Sequence, residues 1–363
     1  MYDLNKPLSI QWELNNICNL MCPQCGRNEI KDGKLQWRFD NLNTVDTKLT
    51  TFRTAYKNIR HPVSHIRFVG NLSEPVLSED FLPICEFLET ETDTAFQVST
   101  HGSVRTPDYW RKLGKIFNGN PRNIIFFSVD GVGNESLQNY RIGANFDKIM
   151  ENAKAFIEGG GKAVWRMIIF KHNQDQIEEA RELAESLGFW EFMTIQTNRR
   201  HNMDEIYEYR GRKRILENQD ITSEWNDKID KNRKPTEILD ITCKYKEINS
   251  FYVDYLKRVW LCCYIPNKAH VARQHEWYAK YNDDMTNSLV HKTFDKIMEN
   301  EFYDTIQKSW NDSKTCLSDC KKFCSLSTGS TRQSKWFLGS LVQSKASPLT
   351  KRYLLRGSEN DNL

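Results

Sequence analysis

Short apolar runs alternate with stretches of helical spacing through the first two hundred residues. The runs are SIQW (9–12), IRFVG (66–70), FQVST (96–100), IIFFSVD (124–130), VWRMIIF (164–170) and FMTIQT (192–197). Their shortness and their content of β-branched and aromatic residues mark them as strands. Between them, Leu49, Phe52, Tyr56 and Ile59 keep helical spacing, as do Phe81, Ile84, Cys85 and Leu88. Ile149, Ala153, Phe156 and Ile157 repeat it before Gly159, and Ile177, Ala180, Leu183 and Leu187 before Gly188. Asn173 is predicted to cap the last of these helices, with Gln176 completing a capping box and Gly188 closing it. Cys85 falls on an apolar helix face and reads as a small buried hydrophobe.

Strand and helix in repeated alternation predict an α/β fold with a parallel sheet, here a partial (β/α)6 TIM-like barrel over residues 1–205. Functional loops in such a fold gather at the C-terminal ends of the strands. Past residue 200 the pattern breaks. Residues 206–240 are charged and poor in apolar runs, which predicts a linker carrying one surface helix. A smaller α+β region with cysteines is expected at 241–330, and a basic tail at 331–363. Within the smaller region FYVDYLKRVWLCC (251–263) reads as two strands about a YLKR turn, a hairpin that brings Cys243 and Cys262 together.

Composition narrows the class. At 363 residues with 39% hydrophobic positions the chain can bury a sizeable core. It holds no apolar run of membrane-spanning length, and MYDLNKPLSIQWEL lacks the basic region and apolar stretch of a signal peptide, so a cytoplasmic protein is expected. A balance of 51 Lys and Arg against 48 Asp and Glu leaves +3, which calls for no nucleic-acid partner. The tail from Thr331 carries six basic residues against two acidic ones, with Trp336, Phe337 and Tyr353 interleaved. It reads as a solvated tail or packed terminal helix, with a substrate or nucleic-acid contact as the sharper alternative. In a reducing compartment ten cysteines favour metal or redox chemistry over disulfides.

Three of those cysteines stand in CNLMCPQC, where Cys18, Cys22 and Cys25 have the spacing C-x3-C-x2-C just after the first strand. Structural zinc takes four ligands, and no fourth lies nearby, since His61 and His65 are well outside the loop. Three thiolates suit a four-iron cluster with one iron left free. On these residues the sequence resembles the radical S-adenosylmethionine (SAM) superfamily. The resemblance implies that the free iron chelates SAM, and that electron transfer yields a 5′-deoxyadenosyl radical which takes hydrogen from a substrate.

Further motifs at later strand ends carry the same resemblance. GNLSEP (70–75) resembles the family's Gly-Gly-Glu-Pro element, which implies cofactor contacts from Gly70, Asn71, Glu74 and Pro75. STHGS (99–103) resembles its Ser-Thr-Asn-Gly turn, with Ser99 and Thr100 retained and His101 in place of Asn. SVDG (128–131) places Ser128 and Asp130 at a fourth strand end. Gln24 departs from the aromatic residue frequent at that position of the family.

In the C-terminal region the order is Cys243, Cys262-Cys263, a helix, then Cys316, Cys320 and Cys324. This resembles the twitch domain, a shortened relative of the SPASM domain, and implies one auxiliary four-iron cluster. Cys243 and Cys262 are the firmest ligands. Two of Cys316, Cys320 and Cys324 complete the set, with Cys320 and Cys324 slightly favoured. Four thiolates in two pairs also suit zinc.

The resemblance fixes how chemistry starts, not what it acts on. Oxidation of a small molecule, assisted by the auxiliary cluster, is the expected reaction. Peptide crosslinking or epimerisation is the alternative, and a non-catalytic zinc or iron-sulfur protein the second. A flavodoxin- or ferredoxin-type reductant is implied. Arg166, Lys171 and His172 are the candidates for proton transfer, each with a plainer reading as a positioning or cap residue. Tyr140 and Arg141 read first as a surface pair at a helix start, and second as a carboxylate or phosphate contact.

Overall fold

The computed structural model describes residues 2–38, 43–196, 205–220, 241–266 and 284–325. Residues 221–240 of the expected linker and the basic tail 331–363 lie outside the described residues.

All six expected strands are present. They are β1 (Leu8–Trp12), β4 (Val63–Phe68), β5 (Ala95–Thr100), β6 (Ile124–Ser128), β7 (Ala163–Ile169) and β8 (Glu191–Gln196). They follow one another as β1-β4-β5-β6-β7-β8 in one sheet, the order of a partial (β/α)6 barrel. Strands β5 to β8 pair in parallel, with Ser99 opposite Phe126, Ser128 opposite Arg166 and Arg166 opposite Met193. The sheet is extended beyond β1 by β11 (Ser250–Val253) and β12 (Val259–Trp260).

The described residues fall into two compact units. One gathers 2–12, 47–66 and 241–325, and the other 13–46 and 67–220.

In the first unit β1 pairs in parallel with β11, from Ser9 opposite Ser250 to Trp12 opposite Val253. The 251–263 hairpin forms as expected, with β11 and β12 antiparallel. Its turn is held by Asp254, fully buried, whose carboxylate accepts from Leu256 N at 2.9 Å, Arg258 N at 3.0 Å, Arg258 Nε at 2.8 Å and Trp260 Nε1 at 2.8 Å. Four donors on one carboxylate fix the hairpin and neutralise the buried Arg258. Helix α1 (Leu49–Lys57) lays Phe52 against Trp12, ring centroids 4.5 Å apart.

In the second unit the helices α2 (Phe81–Glu91), α3 (Pro107–Asn118), α4 (Gly133–Tyr140), α5 (Phe146–Glu158) and α6 (Ile177–Ser186) connect successive strands. Phe96, Phe117, Phe156, Trp110 and Phe127 interlock edge to face or tilted beneath them, with centroids 4.8 to 6.5 Å apart. Cys85 is fully buried on α2, as its position on the apolar face implied. The other face of the strands differs. Gln97 and Ser99 on β5, Phe126 on β6, and Arg166 and Ile168 on β7 are only half-buried at every second position. Period-two alternation between packed and half-open positions gives the sheet one face toward helices and one toward accessible space.

Two features differ from the sequence reading. Residues 205–216, at the start of the expected linker, form strands β9 (Glu205–Tyr209) and β10 (Arg212–Leu216) rather than irregular chain, while the rest of that stretch from 221 lies outside the described residues. With β2 (Asn28–Lys31) and β3 (Lys34–Trp37) they make a second sheet of order β10-β9-β3-β2. The capping box at Asn173 does not form either. Asn173 Oδ1 accepts from Phe170 N, and Gln176 Oε1 accepts from Val132 N and Ser136 Oγ. Both side chains tie α6 to the β6 and β7 loops, a tertiary use that outcompetes the local cap.

Candidate functional site

The Cys18–Cys25 loop is anchored from strand ends before and after it. Glu13, fully buried at the end of β1, accepts from Leu72 N at 2.6 Å and Ser73 Oγ at 3.0 Å. Asn15 Nδ2 donates to Glu74 O, and Glu74 N donates to Ile17 O at 2.7 Å. The GNLSEP loop is thus tied to the cysteine loop. Gly70 belongs to this junction: a Cβ there would stand 2.2 Å from Ser73 O, so no other residue fits without moving backbone. Arg27 donates to Asn16 O and Leu72 O and lies 4.3 Å over the Trp37 ring.

Within the loop Cys25 N donates to Cys22 O at 3.1 Å, and Asn28 Nδ2 to the same carbonyl at 2.9 Å. Cys22 is buried; Cys18 and Cys25 are half-buried. Burial, then the neighbouring Cys22 and Glu74 charges, push the Cys18 thiol up to about 12. Cys22 is pushed to about 12 by burial, against the opposing pull of Arg141. Two neighbouring buried thiols, Cys18 and Cys22, that resist ionising without a counter-charge are what a cationic iron centre relieves.

Glu74 and His101 form the floor. Glu74 is buried, and its Oε2 accepts from His101 N at 2.9 Å while Oε1 accepts from Val76 N at 3.3 Å. His101 Nδ1 accepts from Ser103 N at 3.0 Å, so the proton sits on Nε2. Nε2 faces Asn19 Oδ1 at 3.0 Å and Glu74 Oε2 at 3.3 Å. Burial lowers the His101 pKa, against the Glu74 charge that raises it. The STHGS turn is tight, as its motif implied: Thr100 Oγ1 accepts from Gly102 N at 2.9 Å, and Gly102 has φ +72° with Phe127 2.6 Å from where a Cβ would be. Ser99 stands half-buried on the open face of β5, and Pro75 opens a short 3-10 turn, Pro75–Leu77. Asn71 is half-buried in the junction loop.

Asp130 organises the wall. Its Oδ1 accepts from Ile168 N at 2.6 Å and its Oδ2 from Arg141 Nε at 2.5 Å. Arg141 also lies beside Cys22, whose ionised form its charge favours. Its pKa is raised: burial opposes the charge, and Asp130 and then Cys22 more than restore it. Arg141, expected as a surface pair with Tyr140, is therefore an interior cation beside the cysteines. Tyr140 is buried too, against Phe170 at 4.6 Å.

The three proton-transfer candidates separate. Arg166 stands on the half-open face of β7, donating to Ser128 Oγ at 3.3 Å and lying 5.1 Å over Phe126. Burial and then Arg141 lower its pKa to about 10, still cationic near neutrality. His172 lies near the Asp130 backbone, and its Nε2 is buried and unpartnered. Burial lowers its pKa, with the Asp130 charge opposing. Lys171 is half-exposed and faces Glu217 at 3.7 Å and Asp220 at 3.9 Å, apart from that interior.

The other unit holds a second set of thiols. An open-sided cavity of about 720 Å³ is lined by Cys243, Cys262, Cys320 and Cys324, together with Lys244, Tyr245, Asp319 and Trp310. Cys320 and Cys324 share a face of the short helix Ser318–Cys324 at i, i+4 spacing. Thr242 N donates to Cys324 O at 2.9 Å, which brings Cys243 alongside. Cys316 and Cys263 do not line the cavity, and the Cys316 thiol turns to Leu317 O. Burial raises the pKa of all four lining thiols, to about 11 for Cys243.

All ten cysteines are free. Among the described residues no three His, Cys, Asp or Glu side chains converge as a single-ion site. Each thiolate on an iron-sulfur cluster takes its own iron, so convergence on one point is not its requirement. Both donor sets, three thiols and four, fit cluster ligation by number and chemistry. Sequence reasoning missed Glu13 and undervalued Arg141, though a charged residue at a strand's buried end just before Cys18 was a usable signal.

Among the described residues no helix is long and apolar enough to cross a membrane. The mycofactocin maturase MftC of Mycolicibacterium smegmatis is 24% identical over 186 residues, which cover 51% of this chain and 43% of that relative. The match therefore spans less than half the length of the relative. SuiB of Streptococcus suis bound to S-adenosylmethionine has a similar fold, with a TM-score of 0.52 at 13% identity over 86% of this chain and 77% of that one. Native anSMEcpe with bound AdoMet and Kp18Cys peptide gives 0.53 at 15% identity, over 92% and 97%. A family profile described as the Radical SAM superfamily matches residues 12–184, the span that carries the cysteine loop, Glu74, Asp130 and Arg141. Residues 12–184 thus match the radical SAM family, whose cofactors are a four-iron cluster and SAM.

Proposed function

We propose that the chain is an oxidising radical SAM enzyme with one auxiliary cluster, acting on a peptidyl substrate. The observation that carries the enzyme reading is the Cys18–Cys22–Cys25 loop, tied by Glu13 and Asn15 to the Glu74 loop and flanked by the Arg141–Asp130 pair. When bound, the first cluster supplies a free iron and the electron that splits SAM, and the second an acceptor for the electron left on the substrate after loss of a hydrogen atom and a proton.

The chain's own residues then have separable tasks. Cys18, Cys22 and Cys25 hold the first cluster, and Cys243, Cys262, Cys320 and Cys324 the second. Gly70, Asn71, Glu74 and Pro75, with Ser99, Thr100, Ser128 and Asp130, line the cofactor's side. His172 takes the substrate proton at its buried, unpartnered Nε2. Arg166 orients an acceptor group on the open face of β7. Lys171 has no task in the interior. A flavodoxin- or ferredoxin-type protein delivers the first electron. Residues 1–205 and 241–330 are the two functional regions.

MftC is named a maturase, and the anSMEcpe structure carries a peptide, which supports a peptidyl substrate over the small molecule expected from the sequence alone. Anaerobically reconstituted protein should hold about eight irons per chain on two four-iron clusters. With dithionite and SAM it should release 5′-deoxyadenosine, and Cys22→Ala should release none. Zinc alone in a colourless protein would overturn the enzyme reading. The substrate class is read from deuterium carried into 5′-deoxyadenosine, offering first a perdeuterated peptide pool and then perdeuterated metabolites freed of peptides. Label from the second pool alone overturns the peptide.

A further inference from the structure

Four cysteines line the cavity of the C-terminal region, and backbone N–H groups lie near the sulfur of three of them, those of Lys246 and Tyr245 at Cys243, of Tyr264 at Cys262 and of Lys244 at Cys324. Cys320 lies within the helix Ser318–Cys324, and no backbone donor reaches it among the described residues. What faces its sulfur is the indole of Trp310, the residue that closes the helix Glu301–Ser309 and lines the same cavity. Trp310 Nε1 is buried and completes no hydrogen bond within the protein. An indole N–H can only donate, and a buried one is expected to have an acceptor. The sulfur of a cluster-bound Cys320, more negative than a thiol, is the acceptor at hand.

We infer that Trp310 donates its indole N–H to the Cys320 sulfur in the loaded auxiliary site and thereby raises the reduction potential of the cluster held there. Negative charge on the sulfurs grows on reduction, so a donor at sulfur favours the reduced state. Trp310 is a positioning residue in this account: it touches a ligand, not the substrate. The inference rests on the auxiliary-cluster reading above and adds what sets that cluster's readiness to accept the substrate electron.

The test is an anaerobic redox titration of the reconstituted full chain, following both clusters by electron paramagnetic resonance. Trp310→Phe removes the donor. Replacing Trp310 by benzothienylalanine removes it while keeping the bicyclic shape, and decides the matter if the Phe variant fails to load. With two clusters present, both variants should shift the auxiliary midpoint potential to more negative values and leave the first cluster's unchanged. Trp310→His, which restores an N–H, should recover part of the shift. An unshifted or more positive auxiliary potential in the benzothienylalanine protein overturns the inference. A wild-type chain that holds only about four irons rejects the auxiliary-cluster reading itself, a different failure.

Discussion

Arg141 Nε donates to Asp130 Oδ2 at 2.5 Å while the charge of the same guanidinium favours the ionised form of Cys22, so one side chain couples the β6 strand end to the cysteine loop. Removing the cation strands a carboxylate that is fully buried. Arg141→Gln should therefore cost about 3–5 kcal/mol of stability, read as a lowered thermal midpoint, and should also reduce 5′-deoxyadenosine release. Arg141→Lys keeps the charge but loses the planar fork. It should recover most of the stability and little of the SAM cleavage, because a lysine cannot serve Asp130 and Cys22 together.

The four lining thiols make a second prediction, in iron count. Cys320→Ser and Cys243→Ser should each lower reconstituted iron from about eight to about four per chain. Cys316→Ser and Cys263→Ser should leave it unchanged. Loss of a cluster on replacing Cys316 would show that the competition among the last three cysteines resolves differently.

Asp254 offers a test of the fold away from any cofactor. Its carboxylate takes four donors in the 254–260 turn, and Arg258 beside it is 4% exposed. Asp254→Ala should destabilise the protein by about 3–5 kcal/mol, measured by urea unfolding, because the buried Arg258 loses the carboxylate that neutralises it.

His101 predicts a pH dependence. Its folded pKa is depressed by burial, so between that value and the ordinary histidine value of about 6.5 the unfolded chain binds a proton that the folded chain does not. Stability is then full above about pH 6.5 and falls as pH drops below it. His101→Asn should flatten this acid-side loss, seen by comparing thermal midpoints at pH 7.5 and 5.5 for both proteins. A loss of equal size in the variant would assign it to other groups.

The strands were legible because each run of β-branched and aromatic residues lies at a buried pairing position, as in IIFFS, and burial is what such residues report. The C-x3-C-x2-C motif was legible because its spacing is a property of the chain before any folding. The strands β2, β3, β9 and β10 were not, since they are short, charged and half-exposed; the face of β9 and β10 that carries Ile206 and Ile215 is open to solvent. Their turns did hold a signal. Asp32-Gly33 and Arg210-Gly211 all have positive φ, the geometry of two-residue hairpins, and a DG pair is a recognised mark of one. Arg141 escaped because only tertiary structure reveals that a residue at the end of α4 points to a carboxylate on another element.

The small sheet β10-β9-β3-β2 joins Lys34 to Glu208 in parallel, and Glu208 N donates to Gly33 O at 2.7 Å. β2 begins three residues after Cys25, whereas β9 and β10 follow the last barrel strand. During synthesis the N-terminal pair must wait for its partners until β5 to β8 have left the ribosome. The Cys18–Cys25 loop therefore lacks its finished surroundings for most of translation, and a truncation before residue 205 leaves a chain with Cys18, Cys22 and Cys25 intact but their neighbouring sheet half built.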